Sequence, residues 1–322
     1  MIPDLYRQPP PRLVHRVENQ QSLTELARAK VNLGLRILGR RADGFHELES
    51  VVVFADVGDR VQLTPGAPPL VTTSGPFAEA ISGENLAART LATLAAAHPQ
   101  LRLGAIAIDK QLPVAAGLGG GSADAAAVLR LIRRANAEQA VDVDWYALAA
   151  SLGSDVPVCF GNAACRMTGR GERLAPIAPM PPLPAVLVNP CVAVPAEKTR
   201  QVFANLAAPP YDPSRRASEA PSAPRPSAPP SSFGGDPAVE DYLYHHLFGI
   251  QNDLAIHATA VIPAIADVLA ALEADTLPHI VQLSGAGPTC FALCVSMNDA
   301  EAVARRMAAK HRTWWVRPAW LN

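Results

Sequence analysis

No apolar run in this chain approaches the about 20 residues that a membrane-spanning helix needs, and no signal peptide precedes the first apolar segment. The sequence therefore predicts a soluble, cytoplasmic protein. Charge of one sign is equally scarce. The 28 Lys and Arg stand against 29 Asp and Glu, a formal net charge of −1, and no basic block is interleaved with aromatic residues. Neither nucleic acid nor an anionic membrane is an expected partner, so small molecules are. Cysteine is sparse as well. Cys159, Cys165, Cys191, Cys290 and Cys294 are odd in number and lack CxxC spacing, which gives no disulfide framework and no zinc site. They read as small buried hydrophobes in a reducing cytosol.

What is present is enough chain for two cores, 322 residues at 49% hydrophobic, and two domains are expected. Residues 1–22 read as an N-terminal extension to which no function is assigned. Prolines clustered at 176–184 mark a boundary between domains of residues 23–178 and 179–322. Within the second, residues 207–238 are rich in Pro, Ser and Ala and poor in large apolar groups, and read as a flexible surface insertion.

From Leu23 the chain alternates apolar and polar residues in three pieces, around 30–38, 48–54 and 59–63, which predicts antiparallel strands. Lys30 and Asn32 share one strand face, while Ala29, Val31 and Leu33 take the other. Helices are predicted over 84–97, from near Ser122, and over 145–152, 197–206, 263–274 and 300–310. Strands are predicted over 103–109, 156–160, 166–171, 185–189, 281–283 and 289–295. The second half reads as a two-layer α+β domain with helices on one sheet face.

The densest signal is Pro113-Val114-Ala115-Ala116-Gly117-Leu118-Gly119-Gly120-Gly121-Ser122-Ala123. Glycines between a strand and an Ala-rich helix let the backbone take positive φ and let a ligand approach the first helical N–H groups, so phosphate is the natural guest. It is not a Walker A loop, because no Lys follows the last glycine, nor a Rossmann fingerprint, whose third glycine falls on Ser122. The plain alternative is a flexible turn capped by Ser122. Two other stretches stay open at this point. Phe45 and His46 sit side by side in a polar turn and either hold a planar heterocycle or pack and solvate separately. Asp155 in Gly-Ser-Asp-Val-Pro is either a functional carboxylate or a helix-start and turn residue.

The glycine loop resembles the central motif of the GHMP kinases, which bind ATP through a Gly/Ser-rich strand-to-helix loop unlike Walker A. Ala29-Lys30-Val31-Asn32-Leu33 is similar to that family's first motif and Leu283-Ser284-Gly285-Ala286-Gly287 to its third, in the same order along the chain. The resemblance implies an α+β fold, with a first domain like ribosomal protein S5 domain 2, a ferredoxin-like second domain, and the site in the cleft between them. It implies ATP as co-substrate, held by Lys110 and residues 113–123, with Mg²⁺ expected and its direct ligands unassigned.

By the same resemblance Asp155 accepts the proton of an acceptor hydroxyl and Lys30 compensates charge on the transferring group. Asn32, Phe45 and His46 match substrate positions, the last two stacking on and hydrogen-bonding to cytosine. The implied partners are ATP and a cytidine diphosphate-linked polyol, with the protein a monomer or weak homodimer. Ser284, Gly285, Ala286 and Gly287 form the third glycine motif. Phe45 stands where a Tyr is more usual, the segment after the first strand of the second domain is longer than the pattern so that a family threonine falls near Thr199, and the 207–238 insertion has no counterpart.

Overall fold

A computed structural model describes residues 21–177, 180–214 and 251–322. Most of the extension 1–22 and residues 215–238 of the expected insertion lie outside the described residues.

The first half is built on one long hairpin. β1 (Leu23–Arg40) and β2 (His46–Pro65) pair antiparallel almost end to end, where the sequence predicts three separate pieces. The apparent breaks are absorbed without ending a strand. Register shifts fall at Arg28/Lys30, Asn32/Gly34 and Ile37/Gly39, and Gly58 lets β2 run on against the Ala27 carbonyl, which a Cβ there would meet at 2.2 Å. Two of these bulges flank Lys30-Val31-Asn32, and bulges re-aim side chains where pairing alone would not.

The other edge of β2 pairs with β4 (Gly104–Asp109) toward one end and β5 (Cys165–Gly169) toward the other. β6 (Arg173–Pro176) extends the sheet from β5. β3 (Leu70–Ser74) lies parallel to β4, joined to it through α1 (Leu86–Ala97), whose N-terminus is capped by the Asn85 side chain. α2 (Gly120–Ala135) follows the glycine loop and packs on this sheet through a run of alanines and branched residues buried from Ala123 to Leu129. Small side chains on that face let the helix approach the hairpin closely.

α3 (Trp145–Leu152) is capped by Asp144 and ends at Gly153. The next segment is α4 (Val156–Gly161), not the strand that its β-branched, apolar composition predicts. Short apolar runs are ambiguous in period. Here Pro157 in the first helical turn is compatible with a helix start, and the segment is buried on all sides.

The second half contains β7 (Leu183–Asn189), α5 (Lys198–Asn205), α6 (Ala255–Val261), α7 (Ala264–Glu273), β8 (Ile280–Leu283), β9 (Cys290–Leu293), α8 (Met297–Lys310) and β10 (Trp315–Leu321). Its strands run antiparallel in the order β10-β7-β9-β8. Side chains alternate between faces as a strand requires. Val186, Val188 and Ala292 meet the helices, while Ala185, Leu187, Phe291 and Leu293 pack on Val31, Leu33, Val51 and Val53 of the hairpin. Phe291 is wholly buried in that inter-sheet layer and contributes on the order of 1.5–3 kcal/mol by burial. β10 also joins the halves, with Leu321 opposite Ala55 and Asn322 exchanging backbone bonds of 2.8 and 3.0 Å with Phe54. The architecture is the α+β one expected. No helix among the described residues is long and apolar enough to cross a membrane.

Candidate functional site

The glycine loop lies between β4 and α2. The helix starts at Gly120, with Gly119 at the cap in a left-handed conformation (φ 65°) and no side-chain cap bond. Ser122 is therefore the third helical residue, and the capping role open to it in the sequence is not what it does. Four successive carbonyls of the loop are held by donors from elsewhere in the chain. The Ala115 oxygen accepts from Lys198 Nζ at 3.0 Å, Ala116 from the Thr289 N–H at 3.0 Å, Leu118 from the Lys30 N–H at 2.8 Å, and Gly117 from Ser284 Oγ at 3.3 Å. The N–H groups of Gly117, Leu118 and Gly119 donate to no described residue, and the first N–H groups of α2 are unpaired in any helix. Carbonyls turned into protein and amides left over make an anion cradle.

The third glycine motif is pressed against this loop. Gly117 has φ +79°, and a Cβ on it would sit 2.7 Å from the Gly287 carbonyl and 2.8 Å from that of Ser284. Only glycine meets both demands. Ser284 also accepts the Asn32 N–H at 3.2 Å, and a Cβ on Gly285 would lie 3.2 Å from Asn32 Oδ1. The three motifs, far apart in sequence, thus share one contact surface.

Lys30 and Asn32 share the strand face that the alternation predicts. Lys30 is buried, and its Nζ donates 3.0 Å to Asn32 Oδ1 and lies 3.3 Å from Asp155 Oδ2. Asn32 Nδ2 donates 2.7 Å to Ser50 Oγ, which donates 2.6 Å to the Gly34 carbonyl. This directional chain fixes the amide so that its oxygen faces the ammonium. The Lys30 stem packs under Gly119, whose added Cβ would meet Lys30 Cβ and Cε at 3.4 Å. Asp155 stands at the N-cap of α4 yet makes no cap bond. Its carboxylate is 38% exposed and directed at Lys30, so it is not the helix-start carboxylate that its position allows.

Beside Asp155 opens a cleft of about 850 Å³, lined from the first half by Phe45, His46, Gly153, Ser154 and Arg170 and from the second by Thr199, Arg200 and Phe203. Phe45 is 56% exposed, with the Arg170 guanidinium 4.9 Å from its ring centroid. His46 lies 5.0 Å, centroid to centroid, from Phe203. Burial, with Arg40 nearby, holds the His46 imidazole below its usual range. Thr199 faces this cleft despite the longer segment before it. Phe203 was not singled out in the sequence, where an aromatic one turn after Thr199 on a predicted helix looks like any core residue.

Lys110, expected among the ATP-binding residues, is engaged elsewhere. Its buried Nζ pairs with Asp59 and, at 2.6 Å, with Asp124, so it braces the sheet under the helix N-terminus. Asp59 Oδ1 completes the brace by accepting the Gln111 and Leu112 N–H groups at 2.6 and 2.8 Å. Of the cysteines, all but Cys191 are buried, and Cys191 corrects the expectation of five buried thiols. Burial pushes the Cys159 thiol, next to Gly119, up to about 12, which leaves it inert.

A phosphate cradle, a lysine-paired carboxylate and an aromatic-walled cleft on this two-part α+β fold define a small-molecule kinase of the GHMP class. Residues 85–162 match the GHMP kinases N terminal domain and residues 242–313 the GHMP kinases C terminal domain. The chain belongs to the GHMP kinase family, and within it to the 4-diphosphocytidyl-2-C-methyl-D-erythritol kinases. It is 44% identical over 303 residues, covering 94% of this chain and 97% of its relative, to the 4-diphosphocytidyl-2-C-methyl-D-erythritol kinase of Bradyrhizobium sp. (strain ORS 278). A crystal structure of 4-(cytidine 5'-diphospho)-2C-methyl-D-erythritol kinase superposes with a TM-score of 0.69 at 30% identity, covering 93% of this chain and 99% of that one. A homoserine kinase from Cytophaga hutchinsonii shares the fold, with a TM-score of 0.62 at 18% identity and coverage of 98% and 97%.

Proposed function

We propose that this protein transfers the γ-phosphoryl group of ATP to the 2-hydroxyl of 4-diphosphocytidyl-2-C-methyl-D-erythritol, giving the 2-phosphate and ADP in isoprenoid precursor biosynthesis. The observation that carries this function is the Lys30–Asp155 pair at 3.3 Å, placed between the glycine loop and a cleft walled by aromatic rings. Names of relatives sharing 43–45% identity support the same substrate.

The acceptor oxygen attacks the γ-phosphorus as the bond to the β–γ bridging oxygen breaks, and the hydroxyl proton passes to Asp155. Asp155 orients the nucleophile, and the Lys30 ammonium offsets charge on the transferring group. Phosphoryl transfer asks mainly for such positioning and charge compensation. The cytosine ring is received between Phe45 and Phe203, with His46 as its hydrogen-bonding partner. This function uses the division at residues 178/179, with the substrates meeting in the cleft between the two parts.

Mg²⁺ accompanies ATP. The Ser122 hydroxyl, on the first turn of α2 and bonded to no described residue, is the protein group suited to hold it, and the ion supplies positive charge to the phosphate oxygens. With its thiols all free, the protein is suited to the reducing cytoplasm.

The test is ATP consumption with 4-diphosphocytidyl-2-C-methyl-D-erythritol, homoserine and mevalonate as alternative acceptors. Turnover with the cytidylated substrate alone supports the function. Turnover with another acceptor, or none with any of the three, overturns it.

A further inference from the structure

Lys198 belongs to none of the three family motifs. It is the first residue of α5 and is buried, and its ammonium has no carboxylate partner among the described residues. Its Nζ donates instead to two backbone carbonyls, that of Ala115 at 3.0 Å and that of Gly287. The first belongs to the glycine loop and the second to the third glycine motif, so one side chain from the second half holds both walls of the cradle.

The placement is costly for a cation. It is withdrawn from water, and it stands at a helix N-terminus, where the peptide dipoles are already positive. A tie between two carbonyls needs only a donor, which a neutral amide supplies as well. A charged donor is useful here when an anion arrives in the cradle beside it.

The loop itself shows what is being held. Ala115 takes φ +55°, a left-handed conformation unusual for a residue with a Cβ. Its peptide is turned so that its oxygen points at Lys198, and the next three carbonyls are turned away in the same manner by Thr289, Ser284 and Lys30. Lys198 is the one charged side chain in that series of four anchors, since Lys30 contributes its backbone N–H.

We propose that Lys198 is a positioning residue of the nucleotide site, pinning the Ala115 carbonyl to the Gly287 carbonyl so that the left-handed turn of the loop is preset for phosphate, and compensating the charge of the nucleotide when it binds. The proposal rests on the kinase function above. Lys198 acts through the loop backbone, so its loss weakens nucleotide binding first and the chemical step second.

Burial pushes the Lys198 ammonium down to about 8. The groups around it leave it the titrating cation. On α5 itself Glu197 pairs with Arg200, residues 113–123 and 284–289 carry no titratable side chain, and α6, packed on α5, brings only His257. Affinity for nucleotide therefore falls as pH rises through about 8.

The experiment is calorimetric binding of a non-hydrolysable ATP analogue with Mg²⁺, from pH 6.5 to 9.5, to the wild-type protein, Lys198→Gln and Lys198→Arg, with thermal unfolding alongside. The expected result is a wild-type affinity that drops above pH 8, a loss of about 10- to 100-fold in Lys198→Gln at pH 7, a flat pH dependence in that variant, and partial recovery in Lys198→Arg. In steady-state assays Lys198→Gln raises KM for ATP more than it lowers kcat. Wild-type affinity in Lys198→Gln, or an alkaline limb that persists in it, overturns the proposal. If Lys198→Gln fails to fold, the wild-type profile decides, because affinity unchanged between pH 7 and 9.5 overturns it alone. Nucleotide binding without phosphoryl transfer would overturn the kinase function while leaving Lys198 to be judged on affinity, and no nucleotide binding at all would overturn both.

Discussion

Asp155 occupies the N-cap of α4, where a carboxylate ordinarily bonds to its own helix, yet its oxygen lies 3.3 Å from Lys30 Nζ on β1. At the start of α4 the Val156 N–H is taken by the Gly153 carbonyl and Pro157 has no N–H to offer, so the half-exposed carboxylate is left to face the ammonium and stays open toward the cleft.

Removing either member of this pair separates chemistry from binding. Asp155→Asn and Lys30→Met are expected to lower kcat by about 100- to 10,000-fold, with the affinity for an ATP analogue changed only a few-fold. Single-turnover kinetics with equilibrium binding measure the two quantities apart.

The cleft makes the opposite demand. Phe45→Ala and Phe203→Ala each lose a stacking face, so KM for the cytidylated substrate is expected to rise about 5- to 150-fold, with KM for ATP unchanged. Phe45→Tyr keeps the ring and is expected to stay within about threefold of wild type. Steady-state assays with each substrate varied in turn are the check.

Two loop glycines are expected to respond in opposite directions. Gly117→Ala brings a Cβ within 2.7 Å of the Gly287 carbonyl at a positive φ, and a melting scan should show a loss of more than about 1–2 kcal/mol together with lost ATP binding. Gly121 lies in α2 with nothing within 4 Å of an added Cβ. Gly121→Ala should therefore raise stability by up to about 1 kcal/mol through helix propensity.

Beneath the loop, burial pushes the Asp124 carboxyl up to about 7, Lys110 opposing the shift and Asp59 adding to it. One of its oxygens is buried without a hydrogen-bond partner. A carboxyl raised in the folded state binds its proton there more readily than in the unfolded chain, so its contribution to stability is present below about pH 4 and is lost as pH rises through 7. Urea unfolding at pH 5 and 7.5 should show a wild-type decline across that interval that Asp124→Asn reduces.

The glycine loop is legible by itself, as glycine before a helix, and alternation along a strand puts Lys30 and Asn32 on one face. Asp155, however, stays open as a turn carboxylate between glycine and proline, and only the family resemblance implies a role for it, for Lys30 and for Asn32. The resemblance puts a family threonine near Thr199, whereas Phe203 is legible only once α5 is folded against the β1–β2 turn, since nothing local separates it from a core residue. The bracing contacts of Lys110 are not legible, because a lysine beside a phosphate loop and a lysine bracing two buried aspartates look alike without Asp59, which is 51 residues away. The strands β3, β6 and β10 were missed for want of clear alternation. β10 carries Pro318 between Trp315 and Trp320, and it is a strand because β7 and β2 lie beside it.

The interlock of Gly117 with Ser284 and Gly287 also bears on how the molecule comes apart. Segments some 170 residues apart must be seated on each other before the cradle exists, so a bound nucleotide reports the docked state and not local order. Ligand added to the folded form draws the equilibrium toward it by mass action. In the presence of nucleotide, the hairpin sheet and the β7–β10 sheet are therefore expected to melt together as a single cooperative unit.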